Sequence, residues 1–311
     1  MAHPRKFRFG VQIANATSRK EWLAKTRKIA DLGYSTIFMP DHFGDQLGPV
    51  PALMSVAENS DLRIGTLVLD NDYKHPVVLA KEAATLDLLS EGRLELGVGA
   101  GWLRSDYDQS GMAYDPPKVR VDRFEEGLKV LKGAFAEGPF SFEGEHYKVT
   151  NYEGFPKPVS KPHPPILIGA GGKRMLSISA READIVGVNP NLRPGEVNME
   201  VGQDGTAERF DEKLEWIRRA AGDRFDDIEF NALIFIGIVT DDALGASGNF
   251  APMFGLTPEQ GLEVPLALVG TVDQICDTLI ERRERWQISY YTLSEGFIEN
   301  FAPVVERMAG Q

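Results

Sequence analysis

Leu88-Leu89-Ser90-Glu91-Gly92-Arg93-Leu94-Glu95-Leu96-Gly97-Val98-Gly99-Ala100-Gly101-Trp102 is the stretch on which the fold turns. A helix is expected to run into Ser90, and Gly92 suits the left-handed conformation that closes helices. Residues 94–98 then read as a short strand that opens at once into Gly99-Ala100-Gly101 and Trp102. Helix, glycine stop, strand and glycine-rich loop form the joint of a βαβ unit. Glycines lack a Cβ, so the backbone there can approach something flat or anionic. The loop lacks the full dinucleotide spacing, and alone it reads equally well as a tight turn with no ligand.

The same rhythm extends in both directions. Strands are expected at 7–13, 36–39, 63–69, 165–169, 185–189, 229–239 and 289–293, besides 94–98. The run 229–239 is continuously apolar, as a strand covered on both faces should be. Ser18 caps a first helix with Glu21 at its third position, and Trp22, Ile29, Ala30 and Gly33 mark its apolar face and stop. Pro76 opens a helix to Leu89 with Val77, Ala80, Ala84 and Leu88 on one face. Further helices are expected at 51–58, 121–136, from the Lys173-Arg174 pair to about Ala183, and at 207–221, 271–285 and 297–308. Residues 140–147 look like a hairpin centred on Glu143-Gly144-Glu145, and 155–165 is proline-rich. Eight βα units in roughly 300 residues point to an α/β fold, a (β/α)8 TIM barrel with insertions at the C-terminal face, and an open eight-stranded sheet is the alternative. The chain is expected to form one domain over 1–311, with excursions at about 102–118, 139–165, 189–206 and 241–263.

Composition narrows the function. The chain has 311 residues, 42% hydrophobic and 26% charged, as a globular protein should. A formal charge of −12 argues against nucleic acid as the main partner, since a phosphate backbone wants a basic face. Cys276 is the one cysteine, so no internal disulfide forms, which fits a reducing cytoplasm; its apolar neighbours make it buried filler. The amino terminus carries charge without an apolar core, so no signal peptide is read. No apolar run reaches the roughly 20 residues of a membrane span.

In a barrel the strand ends carry the chemistry. Here they are Asp41 and His42, Leu67 to Asp70, Gly99 to Trp102, Ala170 to Arg174, Asn189, and Ser294-Glu295. Asp41-His42 is an acid–imidazole pair; the histidine can act as a general acid or base or lie over a cofactor ring, and Asp41 would orient it or bind a ligand donor. Ala170-Gly171-Gly172-Lys173-Arg174 places free amides and two cations at a helix start, a phosphate seat. The five histidines (His3, His42, His75, His146, His163) are scattered, so no metal site is expected. No Gly-x-Ser-x-Gly elbow and no P-loop is present, and Asp106/Asp108 reads as a solvated loop pair rather than a glycosidase dyad. An organic cofactor at a barrel mouth is what remains.

These residues resemble the bacterial luciferase-like superfamily: Pro40-Asp41-His42-Phe43, His75-Pro76, the opening stretch, Phe142-Glu143-Gly144 with Tyr147, Ile168-Gly169-Ala170-Gly171-Gly172, and Gly270-Thr271-Val272-Asp273. The tail around Ile288-Ser289-Tyr290 looks most like the actinobacterial F420-dependent branch. The resemblance implies a TIM-barrel enzyme using FMN or the deazaflavin coenzyme F420. It sets Asp41 and His42 against the ring, with His42 near the hydride-transferring carbon. Leu67-Val68 becomes a peptide that is often a non-proline cis bond in the family. Gly99, Ala100 and Gly101 line the cofactor. Ala170, Gly171 and Gly172 hold its phosphate with Lys173 or Arg174, Asn189 lies at the same rim, and nearby cations meet the acidic F420 tail. One departure stands out: F420-dependent sugar-phosphate dehydrogenases carry a glutamate acid where this chain has Trp102. Sugar oxidation is therefore not expected; Trp102 makes an apolar wall for a flat substrate. His42, Tyr107, Asp106 or water would supply the proton.

The leading expectation is an F420-dependent oxidoreductase passing a hydride to an activated C=C, C=N or C=O of a small molecule. The alternatives are an FMN-dependent monooxygenase and a cofactor-binding protein without turnover. Segments 103–117, 189–205 and 241–261 would shape the substrate pocket and could act as a lid. Dimers are common among such proteins, so a homodimer is an open expectation.

Overall fold

The computed structural model describes residues 5–311; His3 and the start of the tract read for a signal peptide lie outside them. Among these residues eight parallel strands close on themselves: β1 Arg8–Gln12, β2 Thr36–Met39, β3 Arg63–Thr66, β4 Leu94–Gly99, β5 Ile166–Ala170, β6 Ile185–Val188, β7 Glu229–Ile234 and β8 Ile288–Ser294. Each pairs with its neighbours in sequence. The ring is completed where Gly10 lies opposite Thr292 and Ile64 opposite Leu94. Past Leu67-Val68 the line of β3 resumes as Leu69–Asp70, paired with Val98 and Gly99. The helices that follow the strands are α1 Arg19–Asp31, α2 Pro49–Asn59, α3 Pro76–Leu89, α4 Pro117–Phe135, α5 Lys173–Glu182, α6 Ala207–Ala221, α7 Val272–Trp286 and α8 Ile298–Met308. The fold is the expected (β/α)8 barrel, because the pairing of β1 with β8 removes the free edges of an open sheet.

Local chemistry accounts for the element ends. Ser18 Oγ accepts the Glu21 amide at 3.2 Å, and Glu21 Oε2 reaches back to the Thr17 amide at 2.9 Å. Thr271 and Gln274 form a full capping box at the start of α7. After α3, Glu91 and Gly92 both take positive φ, +57° and +79°, and turn the chain into β4.

Three expectations are corrected. The strand read over 229–239 leaves the barrel at Ile234: Phe235 is 51% exposed, and Ile236–Val239 pairs instead with Ala267–Gly270 as a separate parallel pair. An apolar run does not show where a strand changes partners. On α3 the buried face is Leu79, Ala80, Ala83, Ala84 and Leu86, whereas Leu88 is exposed; a helix apolar all round leaves its stripe undetermined. The hairpin runs further than expected, Phe140–Glu143 against Lys148–Tyr152. The Glu126 carboxylate on α4 accepts the amides of Glu145, His146 and Tyr147 and so holds its turn.

Most of the core lies between strands and helices, and a smaller group (Phe38, Leu67, Leu167, Ile185, Tyr290) packs together. Gly65 makes room for it, since a Cβ there would stand 2.4 Å from the Phe38 ring. Near the start of the strands, Glu95 is 1% exposed and accepts Arg8 (2.5 Å), Arg63 (2.7 Å) and Tyr290 Oη (2.9 Å). This polar cluster satisfies a buried charge at the end of the barrel where the strands begin.

Candidate functional site at the barrel mouth

All eight strands are parallel in one ring, so the residues that follow their last positions share one rim. His42 and Gly171 are therefore on the same face. The turn after β2 presents His42, whose side chain is 24% exposed. Its Nδ1 lies 2.6 Å from Asp106 Oδ2, and the Trp102 ring stands edge-on to it at 5.7 Å and 87°. Phe43 stacks on Tyr73 at 4.5 Å, and Tyr73 Oη donates to Asp106 Oδ2 at 3.1 Å.

Asp41 was expected to orient His42; the carboxylate that meets the imidazole is Asp106, brought in by the short helix Arg104–Ser110. Asp41 Oδ2 instead accepts the Asp70 amide at 3.2 Å, tying the turn after β2 to the end of the β3 line. Burial pushes the Asp41 carboxyl above the ordinary carboxylate range. Asp106 was grouped with Asp108 as solvated. Asp108 is indeed outside, its side chain 58% exposed and paired with Arg104, but Asp106 is buried.

The peptide Leu67-Val68 is cis, as the resemblance implied, and Gln12 Nε2 donates to the Leu67 carbonyl at 3.0 Å. Behind it the glycines of β4 are filled by the protein itself. A Cβ on Gly97 would stand 1.8 Å from Thr66 O, and one on Gly99 would stand 2.7 Å from Val68 Cγ2. Gly101 has φ +74°, and a Cβ there would meet Tyr107 Oη and Asp70 Oδ2. These glycines thus serve strand packing first, whatever else lies against Ala100 at the rim. Asp70 accepts Tyr107 Oη at 2.8 Å and the Asp72 amide at 2.8 Å, and burial pushes its carboxyl up to about 7.

At the end of β5, Ala170 is buried, and Gly171 after it packs on the Pro190 carbonyl, where a Cβ would stand 2.1 Å away. Gly172 is the N-cap of α5. No side chain caps this helix and its first turn holds no acidic residue, so its first amides have no capping side-chain acceptor. The cations are placed differently from each other: Arg174 pairs with Asp122 of α4 at 2.5 Å, and Lys173 lies 5.9 Å from the Trp216 ring. Asn189 follows β6, its amide donating to Ala170 O at 2.8 Å and its side chain beside Gly169.

The three segments expected to shape a pocket carry short helices and touch one another. Arg104 donates its amide to Gly195 O at 3.1 Å, and Phe254 covers Gly202 so closely that a Cβ would stand 2.4 Å from its ring. Sequence reading missed Gln12, Tyr73 and Lys213, and named Asp70 only as the last residue of the strand-end run 67–70, without its partners Tyr107 and the Asp72 amide. Asp106 was named as one possible proton donor and as half of a solvated loop pair, but not as the carboxylate that meets His42. Among the described residues no group of three His, Cys, Asp or Glu could hold a metal ion, and no helix is long and apolar enough to cross a membrane.

The model of the family described as luciferase-like monooxygenase matches residues 6–207. The FMNH(2)-dependent dimethylsulfone monooxygenase of Pseudomonas putida is 25% identical over 63% of this chain, which spans 59% of that relative's length. The F420-dependent glucose-6-phosphate dehydrogenase of Nakamurella multipartita is 27% identical, over 92% of this chain and 84% of its own. In structure, the coenzyme F420-dependent tetrahydromethanopterin reductase of Methanopyrus kandleri superposes with a TM-score of 0.77 at 18% identity, covering 98% of this chain and 100% of that one, which shows the shared barrel. A family model that fits well over half of the chain, and takes in the turn bearing His42 and the helix start at Gly172, makes this protein a member of the luciferase-like monooxygenase family.

Proposed function

We propose that the protein is an F420-dependent oxidoreductase that moves a hydride between the deazaflavin and a small organic substrate, reducing an activated C=C, C=N or C=O. The carrying observation is that His42 and the uncapped amides of α5 lie on one rim of a closed parallel barrel. The residues fit such a cofactor. First-turn amides without a side-chain acceptor suit a phosphate, because the helix N-terminus carries partial positive charge. Leu67 and Val68, with Ala100 at the rim, would offer a flat ring an apolar surface on which to be desolvated. When bound, the cofactor supplies the two-electron chemistry. The chain's own residues bind and orient: Trp102 walls the substrate side, and His42 holds or moves a proton at Nε2. Support for F420 over FMN comes from the length of likeness, since the match to an F420-dependent relative runs through 92% of this chain and that to the FMNH(2)-dependent one through 63%.

The FMN-dependent monooxygenase is the second reading, favoured by that same dimethylsulfone monooxygenase relative. Titrating the protein with F420 and with FMN, each oxidised and reduced, separates the two. We expect the tighter binding with F420, followed by loss of reduced F420 when a panel of enones, imines and aldehydes is added. Tight FMN binding with none for F420 overturns the proposal. His42→Ala should leave cofactor affinity within about tenfold while turnover falls steeply.

A further inference from the structure

We propose that Asp106 is a positioning residue that fixes which nitrogen of His42 meets the substrate. The inference rests on the oxidoreductase reading for its chemical meaning, but not for its geometry. Asp106 is 4% exposed and accepts three hydrogen bonds from two other segments of the rim. His42 Nδ1 reaches Oδ2 at 2.6 Å and Tyr73 Oη reaches the same atom at 3.1 Å, while the Phe43 amide reaches Oδ1 at 3.3 Å. An ionised carboxylate only accepts, so the imidazole nitrogen facing it carries the hydrogen whether the ring is neutral or charged. Nε2 is then the nitrogen that exchanges protons at the mouth. The Trp102 ring, edge-on at 5.7 Å, limits how far the imidazole can tilt away.

The arrangement has a defined proton balance. In the reducing direction the Nε2–H bond of a protonated ring breaks, and its proton goes to the substrate atom left electron-rich by hydride from the reduced deazaflavin. The ring ends neutral, with Nδ1–H still held by Asp106. In the oxidising direction Nε2 takes that proton. Without the carboxylate the neutral ring can place its hydrogen on Nε2 and present the wrong partner to an incoming proton. Asp41, adjacent in sequence, makes no hydrogen bond to the imidazole; its Oδ2 accepts the Asp70 amide instead.

The test begins with the wild-type full-length chain. Long-range proton–nitrogen NMR on protein labelled with 15N-histidine, with the His42 signals assigned from His42→Gln, reports which ring nitrogen is protonated. We expect Nδ1–H in the wild type, and a shift toward Nε2–H in Asp106→Asn. Asp106→Asn should lower kcat about a hundredfold or more, with KM and cofactor affinity within about threefold. Asp106→Glu should recover part of the rate. Tyr73→Phe should keep the Nδ1–H form and lose no more than about tenfold in kcat. An Nε2–H ring in the neutral wild type overturns the inference, as does an Asp106→Asn protein with unchanged tautomer and rate. The wild-type spectrum decides even where Asp106→Asn does not fold. Should the protein bind neither F420 nor FMN, the functional reading fails while the tautomer result still judges Asp106.

Discussion

Lys213 Nζ lies 2.6 Å from Asp204 Oδ2, with the lysine side chain wholly buried. The same ammonium donates to the carbonyls of Asn189 at 2.9 Å and Asp204 at 2.8 Å, so α6 clasps both ends of the segment that leaves β6. Asp204 also accepts Arg209 Nε at 2.8 Å and the Asn191 amide at 2.7 Å. Burial works against the ammonium and lowers the Lys213 pKa; burial also pushes the Asp204 carboxyl up, but Lys213, Arg209 and the Asn191 amide together outweigh it and hold that carboxyl below the usual range. The segment that closes over one side of the mouth is therefore fastened from beneath.

Without Lys213 the mostly buried Asp204 keeps only Arg209, whose side chain is 39% exposed, as an ion partner; breaking a buried pair costs about 3–5 kcal/mol, of which Arg209 offsets part. Lys213→Met should lower stability by that order in chemical denaturation. It should also open cleavage sites between residues 190 and 204 to limited proteolysis. The double substitution Lys213→Met with Asp204→Leu should regain part of the loss, since no charge is then stranded. Wild-type stability and an unchanged digestion pattern in Lys213→Met would show that the clasp contributes nothing.

The neighbours Gly171 and Gly172 separate packing from ligand binding. A Cβ on Gly171 would stand 2.1 Å from Pro190 O and 2.7 Å from Asn189 O, both backbone atoms that cannot swing aside. Gly171→Ala should therefore destabilise by about 1–3 kcal/mol. A Cβ on Gly172 meets only the Asn191 side chain at 3.6 Å or more, with φ at −87°. Gly172→Ala replaces an N-cap glycine by the less favourable alanine and should cost no more than about 1 kcal/mol. The added methyl group crowds the amides at the start of α5, so if they seat a cofactor phosphate, Gly172→Ala weakens cofactor binding while the melting temperature falls little. Unchanged affinity in a stable Gly172→Ala protein would take the phosphate away from this helix.

How far the sequence reaches is set by distance along the chain. The segments 36–39, 76–89 and 207–221 are read from pattern and caps alone and coincide with β2, α3 and α6. They are legible because periodicity, proline and glycine signals are all local. The same local logic places His42 and Gly171 at strand ends and, with the parallel order, on one rim. It stops at pairing. His42 was given its sequence neighbour Asp41 as partner, whereas the carboxylate it meets lies 64 positions on. Glu95 is the one charged position of an apolar strand, and nothing local in the sequence shows that Arg8, Arg63 and Tyr290 converge on it. The β4 glycines were legible as places of close approach, but the partner, Thr66 O on the adjacent strand for Gly97, was not.

The buried carboxyl of Asp70 gives a pH signature of its own. Burial, with the Asp72 charge adding to it, raises this group to about 7 against the opposing hydrogen bonds from the Asp72 amide and Tyr107 Oη. In the unfolded chain an aspartate titrates near ~3.9. A group raised on folding stabilises the folded state below its unfolded value, and that contribution is lost as pH rises through its folded value. The wild type should therefore lose stability between about pH 4 and pH 7 from this residue. Asp41, also raised by burial, adds in the same direction. Asp70→Asn keeps an acceptor for the Asp72 amide and cannot ionise, so the melting temperature of the variant relative to wild type should be higher at pH 8.5 than at pH 5. Only part of the slope should vanish, because Asp41 still titrates in the variant. A difference between variant and wild type that is equal at the two pH values would mean that Asp70 ionises as freely in the folded protein as in the unfolded chain.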